Sequence, residues 1–232
     1  MKRFVQQMIL PEIGVNGQDT LLNSSVLVVG AGGLGVVVAS YLVSMGTGKV
    51  GICDFDLVGE TNLHRQFLYT PDDIGQKKAT VLAQKSKLQN PDVTINVIIE
   101  KIDETNVDKF ALKYQIICDC TDQAECRILL DNYCQRHNKP LVHGAVSDWQ
   151  GYLSVFHYKE KIGLKDLFDT ADYLKSQTCT IIGINSAICG IIGSYMANET
   201  IKVLLGLDNV LEGKLLYINS LKNIFRIIKL QK

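Results

Sequence analysis

The sequence predicts an α/β fold: a Rossmann-like, mostly parallel sheet with helices on both faces, extended by antiparallel C-terminal strands. Three observations carry this. After Ser25, the apolar run Val26–Leu27–Val28–Val29 suits a strand covered on both faces. The glycine-rich run Gly30–Ala31–Gly32–Gly33–Leu34–Gly35 comes next and opens a helix reaching about Met45. Strand and helix patterns then alternate as far as Ala145, after which the spacing between strands shortens.

Before the glycines, residues 1–24 mix apolar positions with Pro11, Gly14 and Gly17, which predicts short helices on the domain edge. The second strand spans residues 49–53 and ends in Asp54. Thr70–Pro71–Asp72–Asp73 has the form of a helix start: a hydroxyl at the cap, proline first, acids in the first turn. A longer helix is predicted over 76–88, stopping before Pro91. Further strands are predicted at 93–99, 115–119 and 140–145, with helices at 107–114 and 125–137 between them. In the second of these helices, Cys126, Leu129, Leu130, Tyr133 and Cys134 share one face, predicted to be the buried one. Residues 150–158 come soon after the fifth strand, so they should pair antiparallel. Residues 159–180 are weakly patterned and are expected to form a mobile crossover loop. A long helix over 183–205 carries Ser186, Gly190 and Ser194 in a row that would admit another backbone. A final hairpin is predicted at 214–219 and 223–230. Residues 1–232 read as one nucleotide-binding domain.

The glycine pattern Gly30-x-Gly32-x-x-Gly35 sits where a dinucleotide fingerprint must sit, after a strand and before a helix. Helix N-termini offer free N–H groups and positive potential to an anion. Asp54 lies where a ribose hydroxyl would need an acceptor, although a bare strand-end cap would also explain it.

Composition excludes several classes. The 232 residues are 47% hydrophobic, which argues against disorder. Lysine plus arginine balance aspartate plus glutamate at 24 each, giving nonspecific nucleic-acid binding no support. Seven cysteines without a Cys-x-x-Cys pair imply a reducing compartment and no structural zinc. Met1 to Gln7 has no apolar signal core, so a cytoplasmic protein is expected. Ser176 to Asn198 is uncharged, but its polar residues favour a buried helix over a membrane span.

A hydride-transferring enzyme would account for the glycines and Asp54 but not for the charged loops beyond them. Asp54-x-Asp56, Asn62-x-x-Arg65, Lys78 and Asp119-x-x-Asp122 place cations and carboxylates on loops past strand ends. In a parallel sheet those ends face one crevice. Cations and carboxylates around a phosphate cradle suit phosphate chemistry with magnesium. Either Asp119 or Asp122 could be the metal ligand, and Asp56 could serve only to order its loop. Lys77 and Lys78 are not distinguished by spacing alone.

With these motifs in order, the chain resembles the ThiF/MoeB/HesA adenylyltransferases, bacterial relatives of ubiquitin-activating enzymes. The motifs are Gly30–Gly35, Asp54–Phe55–Asp56, Asn62–Leu63–His64–Arg65–Gln66, Gly75–Gln76–Lys77–Lys78 and Asp119–Cys120–Thr121–Asp122. The resemblance implies that ATP adenylylates the C-terminal Gly-Gly carboxylate of a ubiquitin-like sulfur-carrier protein, for thiamine or molybdopterin synthesis. It implies further that Gly32 and Gly33 admit the phosphates and Asp54 holds the ribose, with Asp56 nearby. Asn62, Arg65 and Lys78 would meet phosphate oxygens, Lys78 being selected over Lys77 by family register. Asp122 would carry magnesium. His64, at a position often filled by glutamine, reads as structural. A homodimer and a separate sulfur-donor protein are also implied.

Cys179, in Gln177–Thr178–Cys179–Thr180, lies where some relatives link covalently to the carrier. The other six cysteines, Cys53, Cys118, Cys120, Cys126, Cys134 and Cys189, read as core. The chain departs from the family pattern at two places. Gln6 occupies the register of an arginine that reaches across the dimer in many relatives, and the zinc-binding cysteine pairs of many relatives are missing. The competing functions are a tRNA-modifying ATP-dependent dehydratase of the same fold and a non-catalytic carrier-binding subunit.

Overall fold

In the computed structural model, which describes residues 1–168 and 183–230, the sheet grows in both directions from the strand that feeds the glycine turn. Eight strands run in the order β3-β2-β1-β4-β5-β6-β7-β8. They are β1 (Ser25–Val29), β2 (Lys49–Cys53), β3 (Thr94–Ile98), β4 (Ile116–Asp119), β5 (Leu141–Ser147), β6 (Gln150–Phe156), β7 (Lys214–Asn219) and β8 (Ile224–Lys229). The pairs β3–β2, β2–β1, β1–β4 and β4–β5 are parallel. From β5 onward each pairing is antiparallel; short spacing predicts this for β5–β6 and for the β7–β8 hairpin, while β6–β7 joins strands distant in sequence. Chain order reverses between β1 and β4, which places a crevice at their C-terminal ends.

Among the described residues the α-helices are α1 (Val5–Met8), α2 (Gly14–Leu22), α3 (Gly33–Ser44), α4 (Lys78–Gln89), α5 (Val107–Ala111), α6 (Ala124–His137) and α7 (Ser186–Leu204). Alternate residues of β1 serve opposite layers. Val26 and Val28 join one core with Val36, Leu82 and Ile192. Leu27 and Val29 join the other with Phe110, Leu130 and Tyr133. Both faces of the central strand are therefore dry, which is why its apolar run is unbroken.

The turn after β1 needs glycine at two points. Gly30 has φ +95°, and a Cβ there would lie 2.6 Å from the Cys120 carbonyl oxygen. A Cβ on Gly35 would lie 1.8 Å from the Gly30 carbonyl oxygen. Helix α3 starts this close to β1 only because that atom is missing.

Several elements differ from their sequence-based expectation. Thr70–Pro71–Asp72–Asp73 makes a single 3-10 turn, Pro71–Asp73, with the capping box closed by Asp73. The longer helix begins only at Lys78, beyond the left-handed Gly75. The buried side of α6 carries Arg127 and Asp131 beside Leu130, Tyr133 and Cys134, while Cys126 and Leu129 are only partly buried. Hydrophobic periodicity assigns charged residues to water, which turns the helix; here both charges are paired inside. Asp131 accepts from His157 Nε2 at 2.7 Å and from the Leu164 N–H at 2.9 Å. That pair ties down the beginning of the expected mobile loop: within 159–168, Ile162 and Leu164 are buried. The rest of that loop, with Cys179, lies outside the described residues. Among the described residues no helix is long and apolar enough to cross a membrane.

The small-residue row on α7 is also corrected. A Cβ at Gly190 would meet nothing within 4 Å, whereas one at Gly193 would lie 2.7 Å from Val37 Cβ on α3. The close approach is made by Gly193, one residue away from the predicted row. Gly193→Ala is accordingly expected to destabilise the protein by about 1–3 kcal/mol through overpacking. Gly190→Ala should be neutral or stabilising by up to about 1 kcal/mol through helix propensity. Chemical denaturation of the two variants checks this, and equal stabilities would refute it.

Candidate active site

The loops beyond β1, β2, β3 and β4 surround a cavity of about 270 Å³ at the crevice. Gly32, Gly33, Asp54, Asp56, Asn62, Arg65, Lys78 and Asp122 all line it. These are all the site residues expected from the sequence except Cys179. Asp119 is not on the lining.

Asp54 binds the glycine turn directly. Its Oδ2 accepts the Ala31 N–H at 2.6 Å and its Oδ1 accepts the Asp56 N–H at 2.8 Å. Burial pushes its carboxyl above the ordinary value, against those two N–H groups and the Lys78 charge, which pull it down. The Tyr69 hydroxyl donates to the Ala31 carbonyl at 2.8 Å and lies 3.2 Å from that of Lys78. Ala31 is thus held at both its amide and its carbonyl, and the turn arrives in the cavity preorganised.

Lys78 is 7% exposed at the start of α4. Its Nζ stands 3.2 Å from Asp56 Oδ2, and its own N–H donates to the Asp56 carbonyl at 3.0 Å. Lys77 instead donates to the Phe55 carbonyl at 2.7 Å and is not on the lining, so geometry separates the two lysines. Asp56 orders its loop and also faces the cavity, where it holds Lys78.

Arg65 reaches the cavity without a carboxylate partner among the described residues. Its Nη1 donates to the Thr61 carbonyl at 3.0 Å and to His64 Nε2 at 2.8 Å. Accepting at Nε2 leaves His64 Nδ1 to carry the proton toward Ser186 Oγ, 3.1 Å away. The Ser186 hydroxyl in turn bonds the His64 carbonyl. His64 therefore ties Arg65 to the first residue of α7. Asn62 accepts the Gly59 N–H through Oδ1 at 3.1 Å, closing its own turn, and also lines the cavity.

The two aspartates at and after the end of β4 differ completely. Asp119 is 0% exposed and Asp122 is exposed. Among the described residues the Asp122 carboxylate makes no hydrogen bond or ion pair. A magnesium ion travelling with ATP takes one or two protein carboxylates and fills its shell with phosphate oxygens and water. Asp122 fits that role and Asp119, whose oxygens are committed, does not. Among the described residues no three His, Cys, Asp or Glu side chains are grouped to hold a metal by themselves.

Sequence reasoning missed Arg127, Gln66 and Gln123 on the lining. By periodicity Arg127 is an outward helix position, but its Nε and Nη2 donate to the Thr121 carbonyl at 3.0 and 2.6 Å. Four of the six cysteines expected in the core also line the cavity: Cys53, Cys120, Cys126 and Cys189. Burial pushes the thiols of Cys53 and Cys126 up to about 12, and raises those of Cys120 and Cys189 as well. They stay protonated at neutral pH and supply bulk rather than nucleophiles.

Residues 4–232 match the profile of the ThiF family. The chain belongs to that family. It is 40% identical over 232 residues to the adenylyltransferase and sulfurtransferase MOCS3 of Caenorhabditis briggsae, covering 99% of this chain and 58% of that protein. It is 34% identical over 229 residues to a probable molybdopterin-synthase adenylyltransferase of Gracilaria tenuistipitata var. liui, covering 99% of this chain and 64% of that one. A sulfur carrier protein adenylyltransferase of Thermus thermophilus is 35% identical over 238 residues, with coverage of 100% and 88%. This ThiF-family chain thus spans less than two thirds of the first two relatives and most of the third. Among solved structures, E. coli MccB with ATP superposes with TM-score 0.87 at 21% identity, covering 100% of this chain and 72% of that one. That likeness shows the fold.

Proposed function

We propose that this protein activates the C-terminal Gly-Gly carboxylate of a small ubiquitin-like sulfur-carrier protein by adenylylation with ATP. The observation that carries the reading is the meeting of Arg65, Lys78 and Asp122 with the glycine turn in one cavity. Two anions must approach each other there. A carboxylate oxygen of the carrier tail attacks the α-phosphorus of ATP, the bond to the β-phosphate oxygen breaks, and pyrophosphate leaves. The acyl adenylate remains. Arg65, Lys78 and the Asn62 amide are the donors available to the phosphate oxygens where negative charge accumulates, and in a partly enclosed site such donors act strongly. Asp54 offers its remaining lone pairs to the ribose hydroxyls. Magnesium, held by Asp122 together with the phosphates, would add positive charge and orient them.

The relatives' names support a sulfur carrier as substrate. They include both a sulfur-carrier and a molybdopterin-synthase enzyme, which supports a carrier for molybdopterin synthesis; the lean to thiamine synthesis rests on the motif resemblance alone. The proposal includes a homodimer, a cytoplasmic setting, a single domain over residues 1–232, a separate sulfur-donor protein and no structural zinc. Gln6 is exposed, and so are Lys2 and Arg3, the latter bonded through Nη1 to the Gln89 carbonyl at 2.6 Å; either of these two cations would supply a cross-subunit charge. Cys179 remains the candidate for a later covalent link to the carrier; adenylylation does not need it.

Exchange of labelled pyrophosphate into ATP tests the reading. Exchange should require magnesium and a carrier with its Gly-Gly terminus intact, and removing the last glycine should abolish it. Absence of ATP binding, or exchange indifferent to every such carrier, would overturn the proposal.

A further inference from the structure

Behind the cavity, and outside its lining, lies a buried polar pair that the proposed chemistry does not use. His143 on β5 stands beside Asp119 on β4 in the parallel register. Its Nδ1 is 2.7 Å from Asp119 Oδ2, and both side chains are 0% exposed. The other Asp119 oxygen accepts the Thr121 N–H at 3.0 Å and the Thr121 hydroxyl at 2.7 Å. The turn is gripped from two further sides. The Cys120 N–H donates to the Val29 carbonyl at 2.8 Å, and Arg127 holds the Thr121 carbonyl. The next residue along the turn is Asp122.

This arrangement is costly to keep. His143 lies against the rings of Tyr152 and Phe156, at 5.7 and 5.9 Å between centroids, and its Nε2 is buried without a hydrogen-bond partner among the described residues. A buried polar atom left unpaired costs about 1–3 kcal/mol. An apolar side chain would fill the same space without that penalty, so packing alone does not account for a histidine here. What the histidine adds is a donor that fixes the Asp119 carboxylate, which in turn fixes the Thr121 amide and hydroxyl.

We propose that Asp119 and His143 are positioning residues for the reaction: they set the turn that aims Asp122 into the cavity, and act on catalysis only through it. The inference rests on the adenylylation reading. A misplacement of about 1 Å in a reacting or metal-holding group can cost about a hundredfold in rate, so a rigid mount for one exposed carboxylate has a large lever.

His143→Leu removes the donor and keeps an apolar filling. With the carrier that supports exchange in the unaltered protein, kcat for exchange is expected to fall at least about tenfold. The magnesium concentration giving half the maximal rate should rise severalfold, while KM for the carrier stays within about twofold, because the carrier's own contacts are untouched. His143→Asn places an amide N–H where Nδ1–H stands and should restore most of kcat and the magnesium dependence. Should His143→Leu fail to fold, Thr121→Val removes one bond of the same network and should shift the magnesium dependence in the same direction. An unchanged magnesium dependence in His143→Leu, or no recovery in His143→Asn at equal thermal stability, overturns the inference. Amide hydrogen exchange at residues 119–123 decides it without any activity: protection of Thr121 should be lost in His143→Leu and kept in His143→Asn. If the unaltered protein shows no carrier-dependent exchange, the functional reading fails, and amide protection alone then judges whether this pair mounts the turn.

Discussion

Lys78→Ala is expected to lower carrier-dependent pyrophosphate–ATP exchange by about a hundred- to a thousandfold while leaving the protein folded. The size comes from where the charge sits. Lys78 is 7% exposed, so its ammonium acts across a partly dehydrated gap where an interaction with phosphate oxygen is worth more than in water. Survival of the fold comes from its partner. The Asp56 side chain is 52% exposed and stays hydrated when the lysine is gone, so no buried charge is left alone. The neighbouring lysine is the control. Lys77 is spent on the Phe55 carbonyl outside the lining, and Lys77→Ala should change the exchange rate less than about threefold. Similar losses in the two variants, measured at saturating ATP and carrier, would show that the cavity does not select Lys78.

The parts of the site that were legible in the sequence are those where backbone geometry dictates the residue type. Gly30 and Gly35 are glycines because a Cβ would collide with the Cys120 and Gly30 carbonyls, and that constraint is visible in the sequence as a motif. Asp54 ends a strand whose five residues pair with both neighbours, so its place beside the glycine turn is a consequence of strand length alone. What stayed hidden was buried polar structure. Arg127 and Asp131 have the spacing of inward positions on α6, but hydrophobic periodicity treats every charge as outward. Their partners, the Thr121 carbonyl and His157, are supplied by tertiary structure. His143 sits in an apolar strand with nothing local to mark it. Gly193 was missed for a related reason: α7 offers two rows of small residues, and only the packing of α3 chooses between them.

The hidden part bears directly on the second large effect. Asp122→Ala is expected to abolish exchange, a loss of at least about a hundredfold, without a measurable change in thermal stability. An exposed carboxylate with no hydrogen bond among the described residues contributes little to folding, so its removal touches only what it would hold. Asp119 makes the opposite prediction from the same motif. Burial alone would raise its carboxyl, yet the His143 hydrogen bond and charge, with Arg127 and Thr121, outweigh that and hold it below the ordinary carboxylate range. Such a group stabilises the fold above its unfolded pKa and loses that contribution as pH falls through the lower, folded value. Replacing Asp119 should therefore cost stability at neutral pH as well as rate, whereas replacing Asp122 should cost rate alone. Titrating magnesium separates the two roles further: excess metal should recover part of the rate where Asp122 is present but misaimed, and none where it is absent. Near-normal exchange in Asp122→Ala would remove magnesium from this residue, and with it the reason for Asp119 and His143 to grip the turn so closely.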